Sequence, residues 1–393
     1  MTIAKKIEEI MSRSSWIRKM FEEGTRLKAE HGAENVFDFS LGNPNLQPPD
    51  DFYRVLKDIV ANDRPGVHAY MPNTGYPRVC EAIAAYMSAE QRVTLTGKEI
   101  IMTCGAAGAL NAIFKALLDP EDEVITPVPC FVEYGFYAGN HGGVLKTVET
   151  NPDFSLNLEA LSAAISAGTK IVLINSPNNP TGQIYSKESL AALGRLLKEK
   201  SAELGRTLYL VSDEPYRKII YDGAEVPSIF ECYENSIIAT SYSKDLSIPG
   251  ERLGFIAVNP AAEFKATLLG GMALSNRILG FVNAPALMQR VVARLQGKSV
   301  DISEYARKRK LLCEGLEEAG YEFIKPPGAF YLFPKSPVPD DVEFVRALQE
   351  ELILAVPGSG FMGPGYFRLA FCVEDDTIVN ALPAFKRVME KFK

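Results

Sequence analysis

The sequence predicts an α/β fold in two parts: a larger domain on a mostly parallel sheet, and a smaller α+β domain. Two apolar runs, 171–174 and 208–212, lack polar alternation, which is typical of strands buried on both faces of a parallel sheet. The first run leads through a turn into a helical pattern capped by Ser186. After residue 285 one long helical stretch, 287–318, gives way to two strand-like stretches that flank another helix, which predicts the smaller domain.

Composition and charge narrow the class of protein. The 393 residues are 47% hydrophobic and 23% charged, as in ordinary soluble globular proteins. A net charge of −7 argues against nucleic acid or an anionic membrane as a partner, since both favour a basic patch. No apolar run has transmembrane length, and the charged N-terminus does not fit a signal peptide. The six cysteines form no CxxC pair and the three histidines lie far apart, so we expect a cytoplasmic protein without a metal site.

The N-terminal region predicts a helix followed by a loop. Apolar residues recur at helical spacing up to about residue 34, and such a helix would pack on the body of the protein or on a partner subunit: Ile7, Ile10, Met11, Ile17, Met20 and Phe21. A short apolar strand then leads into a loop around Gly42 that is rich in Gly, Pro and Asn.

Lys244 is the centre of the candidate chemistry. Small hydroxyl residues precede it, Ser241 and Ser243, and these can approach a ligand closely and donate hydrogen bonds. Arg252, eight residues on, carries a planar cation suited to a phosphate. A nucleophilic amine beside phosphate-binding groups is what a pyridoxal 5′-phosphate (PLP) Schiff base requires. The alternative is a surface lysine in a serine-rich turn.

Polar side chains follow both buried strands. The turn NSPNNPTG, 175–182, holds Asn179 rigidly at a carboxyl end, where open α/β sheets bind ligands. Asp213 ends the second strand and is followed by Tyr216. A buried carboxylate is costly unless it is paired, and the pyridinium N–H of PLP would be a suitable partner. The alternative for Asp213 is the N-cap of a helix.

A glycine-rich turn, 105–108, follows the apolar stretch 100–104 and opens a helix. The small residues Gly105, Ala106 and Ala107 allow a ligand to approach the backbone, and the first N–H groups of a helix attract anions. The pattern therefore predicts an anion site, with tight helix–strand packing as the alternative.

Arg368 lies inside an apolar strand pattern near the C-terminus. A guanidinium in such surroundings needs a carboxylate, either from a ligand or from a structural salt bridge. The nearby GxGxxG sequence, 358–363, matches the dinucleotide fingerprint only in its letters, because Pro364 follows where a helix should begin. We interpret it as an irregular loop.

In their order along the chain, the motifs resemble those of the class I/II aminotransferases, the fold-type I PLP enzymes related to aspartate aminotransferase. The resemblance extends from about Phe37 to Arg368. It implies the PLP transferase fold type I, with a seven-stranded type of sheet in a large domain, 48–283, and a small domain formed by both termini, 1–47 and 284–393. It also implies a homodimer with shared active sites.

The resemblance implies a role for each matching residue. Lys244 would carry PLP, Asp213 would pair with the pyridine nitrogen, and Phe131 would stack on the ring. Asn179 and Tyr216 would bond the phenolic oxygen. The phosphate would bind Arg252, the serines and the Gly105 turn, where alanines replace the hydroxyl residues of many members, and Tyr70 would reach it from the partner subunit. Gly42, Asn179 and Arg368 would bind the substrate, with Gly42 and Arg368 at its carboxylate. For Tyr70 and Phe131 the alternatives are a half-buried aromatic and a core phenylalanine.

The implied activity is a ping-pong exchange of an amino group between an L-amino acid and a 2-oxo acid, through an internal aldimine at Lys244. A PLP-dependent carbon–sulfur β-lyase is the alternative within catalysis. A non-catalytic PLP-binding regulator is disfavoured, because the chain has no spare length or basic segment for DNA binding. Arg277, six residues before Asn283, is a candidate for recognising a side-chain carboxylate in the neighbouring active site, and an interface ion pair is the favoured alternative.

Overall fold

The computed structural model describes residues 3–12 and 16–392. Its helices are α1 (Lys5–Ser12), α2 (Trp16–His31), α3 (Asp50–Ala61), α4 (Pro77–Gln91), α5 (Gly105–Leu117), α6 (Glu133–Asn140), α7 (Leu158–Ala164), α8 (Lys187–Leu204), α9 (Lys265–Ile278), α10 (Ala286–Ala293), α11 (Ile302–Ala319), α12 (Asp341–Glu350) and α13 (Asp375–Lys391). Its strands are β1 (Phe37–Asp38), β2 (Ile100–Thr103), β3 (Glu123–Val128), β4 (Val144–Glu149), β5 (Thr169–Asn175), β6 (Tyr209–Asp213), β7 (Ser236–Ser241), β8 (Gly254–Val258), β9 (Tyr331–Leu332), β10 (Ile353–Leu354), β11 (Val356–Pro357) and β12 (Phe367–Ala370).

A seven-stranded sheet forms the centre of the larger layer, in the order β2-β8-β7-β6-β5-β3-β4. All neighbouring strands are parallel except β8, which runs antiparallel to β2 and β7. Successive residues of β5 are buried on opposite faces: Ile171 and Leu173 pack with α5 and α9, while Val172 and Ile174 pack with α4 and α8. The apolar runs are continuous because both faces of these strands are buried, as the sequence predicted. The predicted fold class is confirmed.

The second layer contains the antiparallel sheet β11-β12-β9 and the parallel pair β1-β10. Its core joins these strands to α11, α12 and α13 through many aromatic rings. The domain limits near residues 48 and 283 stay a prediction. The loop 358–363 is irregular, as expected: a short 3-10 turn ends at Met362, whose φ of 58° is left-handed.

Two helical predictions need correction or restriction. The single long helix expected over 287–318 is wrong, because α10 ends at Ala293 and α11 begins at Ile302. Gly297 (φ 78°) turns the chain between them, and the Asp301 carboxylate caps α11. At the N-terminus the structure shows α1 and α2, and residues 1–2 and 13–15 of the predicted helix lie outside the described residues. In the described part of the chain, no helix is long and apolar enough to cross a membrane.

Candidate active site

A cavity of about 270 Å³ opens beyond the carboxyl ends of β5, β6 and β7. Most of the residues that the sequence singled out line it: Gly42, Ala106, Ala107, Phe131, Asn179, Asp213, Tyr216, Ser241, Ser243, Lys244, Arg252 and Arg368. Parallel strands bring their carboxyl ends to one edge of a sheet, so residues distant in sequence meet there. Tyr70, Gly105 and Arg277 do not line the cavity.

Lys244 follows β7, and its half-buried side chain points into this cavity. Its Nζ donates a hydrogen bond to the Gly42 carbonyl at 2.7 Å, and the ring of Phe330 lies 5.4 Å away. Burial lowers the pKa of Lys244 to about 8, and the nearby cations Arg368 and Arg252 also lower it. Lys244 is therefore neutral in a far larger fraction of molecules near pH 8 than an ordinary lysine, and the neutral amine is the nucleophile.

Asp213 ends β6 with one carboxylate oxygen bound and the other without a partner. Its Oδ2 accepts a hydrogen bond from the Tyr134 hydroxyl at 2.6 Å, while its Oδ1 is buried and makes no hydrogen bond. Burial raises the pKa of Asp213 to about 7, against the opposing effect of the Tyr134 hydrogen bond. No α-helix follows β6 among the described residues before β7, so the N-cap alternative does not apply. The unpartnered oxygen can accept a donor from a ligand.

The role of Tyr134 was not found by sequence reasoning. Its ring is fully buried in α6 and meets Phe131 edge-on at 5.6 Å between centroids. Phe131 precedes α6, and no local pattern in the sequence indicated the hydrogen bond between Tyr134 and Asp213. Tyr134 holds the Asp213 carboxylate in one orientation, in which Oδ1 has no hydrogen-bond partner.

The turn after β5 is fixed by a second residue that the sequence reasoning missed, Asn175. Its Oδ1 accepts from the Asn179 backbone N–H at 2.7 Å, and its Nδ2 donates to the Asp213 carbonyl at 2.8 Å. Asn175 therefore ties the ends of β5 and β6 together. The signal was an amide at the last position of a buried apolar strand.

Arg368 is buried on β12 with hydrogen-bonding capacity to spare. It donates to the Ser40 carbonyl at 2.5 Å and to the Asn179 side-chain oxygen at 3.1 Å, and its Nε has no partner. Among the described residues no carboxylate pairs with it, which disfavours the structural salt bridge. The rings of Tyr331 and Phe361 each lie 4.6 Å from its guanidinium carbon. A buried cation without a counter-ion is suited to a ligand carboxylate.

The residues that the sequence predicts to form an anion site lie where α5 begins. Gly105 has a left-handed φ of 73°, and Cys104 at the N-cap gives no side-chain hydrogen bond to the first turn. A Cβ on Gly105 would lie 2.8 Å from Arg252 Nη2, so glycine allows this cation to approach the helix end. Ala106 and Ala107 line the adjacent cavity wall. Helix N–H groups and a guanidinium together favour a phosphate.

Two predicted residues lie away from this cavity in their own chain. Tyr70 is 91% exposed, so it is not the half-buried aromatic of the alternative interpretation. Arg277 is exposed near the end of α9. Whether either residue reaches the active site of a second chain stays a prediction.

Comparisons with known proteins agree with this geometry. A family model described as aminotransferase class I and II matches residues 34–385. A probable aspartate aminotransferase of Methanocaldococcus jannaschii is 31% identical over 384 residues, which cover 96% of this chain and 97% of the relative. The aspartate/prephenate aminotransferase of Thermus thermophilus is 33% identical over 359 residues, 89% of this chain and 90% of its own.

Solved structures match over the whole length. An amino transferase from Eubacterium rectale superposes with a TM-score of 0.97 at 38% identity and covers 100% of both chains. The aspartate aminotransferase from Thermus thermophilus with maleate has a TM-score of 0.87 at 29% identity and covers 99% of this chain and 100% of its own.

Proposed function

Since the chain belongs to the class I and II aminotransferases and is itself an aminotransferase, we propose that Lys244 holds PLP in the cavity. The family is generally PLP-dependent. The substrates proposed are an L-amino acid and a 2-oxo acid that use the site in turn. The β-lyase and regulator alternatives are not favoured by the comparisons.

The unpartnered Oδ1 of Asp213 is the observation that supports PLP most strongly. A buried acceptor at the end of a strand, whose other oxygen is already bound, fits a pyridinium N–H. The Lys244 amine and the anion site at Arg252 fit the aldehyde and phosphate ends of the same molecule. When bound, PLP supplies a pyridine ring that accepts the electrons left at the substrate Cα after its proton is removed.

Different side chains of the cavity would have different roles in proton transfer. Lys244, with a pKa of about 8, would serve as the base that takes the proton from the substrate Cα and holds it for return. Asp213 keeps the ring nitrogen protonated, because a carboxylate stabilises the adjacent N–H charge. Tyr216 would donate a hydrogen bond to the phenolic oxygen of PLP, and Asn179 would bind the same oxygen.

Arg368 orients the substrate. Its free Nε and its position beside Asn179 suit the α-carboxylate that all amino-acid donors share. Since a bidentate pair fixes direction as well as affinity, Arg368 would hold the Cα within reach of Lys244. Among the described cavity residues, the other cations are Lys244 and Arg252, which are assigned to the cofactor. Aspartate is the first donor to test, because several relatives are named aspartate aminotransferases.

Assembly and location are part of the same proposal. The exposed Tyr70 ring supports a homodimer in which it reaches the partner's phosphate site. All six cysteines lie among the described residues as free thiols, which supports the reducing cytoplasm as the location.

Borohydride reduction followed by peptide mapping tests the cofactor site. The pyridoxyl group should be found on Lys244, and the Lys244→Arg variant should lose it while its other lysines stay unlabelled. Label on another lysine would contradict the assignment. An amino-donor screen read by half-reaction absorbance then tests the transfer. Steady release of pyruvate and ammonia without an oxo acid would instead indicate a β-lyase.

A further inference from the structure

Tyr331 reaches the cavity from β9 and contacts three of its functional groups. Its hydroxyl lies 2.8 Å from the Tyr216 hydroxyl, and its ring lies 4.6 Å from the guanidinium carbon of Arg368. A Cβ on Gly42 would overlap the Tyr331 hydroxyl, so the loop whose carbonyl binds Lys244 closes directly against this ring. Tyr331 is 2% exposed, and its only described hydrogen bond is to Tyr216.

We propose that Tyr331 is a positioning residue for Tyr216: its hydroxyl donates to the Tyr216 oxygen, so that the Tyr216 proton is directed into the cavity. The inference rests on the proposed function, in which Tyr216 donates to the phenolic oxygen of PLP. Each phenol carries one proton. If Tyr216 directs its proton to the ligand, the 2.8 Å contact between the hydroxyls needs the proton of Tyr331.

Burial and the nearby charges act on both phenols. Burial raises the pKa of Tyr331 to about 12, and the positive charge of Arg368 opposes the increase. Burial also raises the pKa of Tyr216 well above its ordinary value, and the charge of Arg368 opposes this increase too. The other titratable groups that act on the pair are Asp213 on Tyr216 and Cys372 on Tyr331. The direction of the hydrogen bond therefore follows from the proton count and from the 2.8 Å contact between the two hydroxyls.

This hydrogen bond has a consequence for the ligand. A hydroxyl whose oxygen accepts a hydrogen bond is polarised and becomes a stronger donor itself. Removing the Tyr331 hydroxyl should weaken donation by Tyr216 and destabilise negative charge on the phenolic oxygen. The pKa of the lysine-linked cofactor would then rise, so that it would lose its proton at a higher pH.

The experiment measures the pH midpoint of the cofactor absorbance in the PLP-loaded protein without substrate. Tyr331→Phe keeps the ring beneath Arg368 and removes only the hydroxyl. We expect the midpoint to rise by roughly half to one pH unit, the size of one neutral hydrogen bond. Tyr216→Phe should raise it further, and Tyr331→Phe should add nothing in that background. The KM for amino acids should stay within about twofold, since the Arg368 contact remains.

Tyr321→Phe is the matched control, because it removes a buried hydroxyl that donates to the Phe385 carbonyl at 3.0 Å, outside the cavity. It should lower the thermal stability as much as Tyr331→Phe and leave the midpoint unchanged. No shift in Tyr331→Phe, or an equal shift with and without Tyr216, would overturn the inference. Absence of a lysine-linked cofactor absorbance in the unaltered chain would overturn the proposed function itself, and this inference with it.

Discussion

The buried residues of the cavity, here called the floor, differ from the exposed residues Tyr70 and Arg277, which do not line the cavity and are here called the rim. On the floor, Asp213 and Arg368 are almost fully buried, and each has a polar atom without a hydrogen bond. On the rim, Tyr70 is 91% exposed, and Arg277 is exposed as well. The floor therefore shows its chemistry within one chain, whereas the rim residues acquire a role only if a second chain or a ligand covers them.

Burial of ionisable groups on the floor also lowers the stability of the folded protein. Removal from water disfavours the charged form of Lys244 and of Asp213, which is why the pKa of the lysine falls and that of the carboxyl rises. A ligand that supplies a negative charge, a ring N–H and a carboxylate would relieve these costs together. Changes on the floor should therefore have larger effects than changes on the rim.

Asp213→Asn should give the largest effect. The amide can still accept the Tyr134 hydrogen bond, so the chain should fold, but it cannot hold the pyridine nitrogen protonated. We expect the transamination rate to fall by about a thousandfold, or roughly 4 kcal/mol of transition-state stabilisation, measured as kcat/KM. Glu214→Gln removes the next carboxyl, which pairs with Arg217 outside this cavity, and should keep the rate within about fivefold. Activity of Asp213→Asn close to that of the wild type would contradict the role.

Lys244→Met should stabilise the PLP-free protein. Lys244 has a pKa of about 8 when folded and about 10.5 when unfolded, so burial of its charge destabilises the fold fully below pH 8. This cost disappears as the pH rises through the range from about 8 to 10.5. At pH 7 we expect the free energy of unfolding to increase by about 2–3 kcal/mol, somewhat less than the pKa difference implies because the bond to Gly42 is lost.

Urea unfolding of the PLP-free variants at pH 7 and at pH 10.5 measures this effect. Lys335→Met changes a lysine with a 61% exposed side chain and should give no gain at either pH. A gain for Lys244→Met that does not shrink towards high pH would exclude charge burial as its cause.

Arg368→Leu should weaken every amino-acid substrate by a similar factor. The α-carboxylate is common to all donors, and loss of its buried cation should lower kcat/KM by roughly fiftyfold to a hundredfold. Arg368→Lys keeps the charge without the planar fork and should recover only part of the loss. Losses that differ tenfold or more between alanine, aspartate and aromatic donors would place the arginine at the side chain instead.

Tyr70→Phe tests the rim directly. If the hydroxyl binds the phosphate in the partner's site, its loss should weaken PLP binding by about tenfold, the size of one charge-assisted hydrogen bond. Tyr53→Phe is the control, because this tyrosine is 40% exposed and its hydroxyl contacts Gln47 in its own chain. An unchanged PLP dissociation constant in the dimeric protein would leave Tyr70 without a cofactor role.

The same contrast explains which features the sequence could predict. Strand ends follow from local patterns, so the apolar runs and the residues that follow them are enough to place Asn179, Asp213 and Lys244 at one sheet edge. Tyr134 and Tyr331 could not be placed in this way, because their hydrogen bonds join residues 79 and 115 positions apart. The break between α10 and α11 was also missed, since it depends on the left-handed Gly297 within an otherwise helical pattern.

Arg277→Ala should have the smallest effect. Arg277 is exposed and does not line the cavity of its own chain, so it can recognise a side-chain carboxylate only in a neighbouring active site. We expect the ratio of aspartate or glutamate turnover to alanine turnover to stay within about threefold of the wild-type ratio, as for an ordinary interface residue. The ratio is the useful measure because it cancels any general loss of activity. A fall of tenfold or more, about 1.4 kcal/mol of side-chain discrimination, would instead make Arg277 the second carboxylate site. Exposed residues of one chain would then select the substrate on which the buried cavity residues of the other chain act.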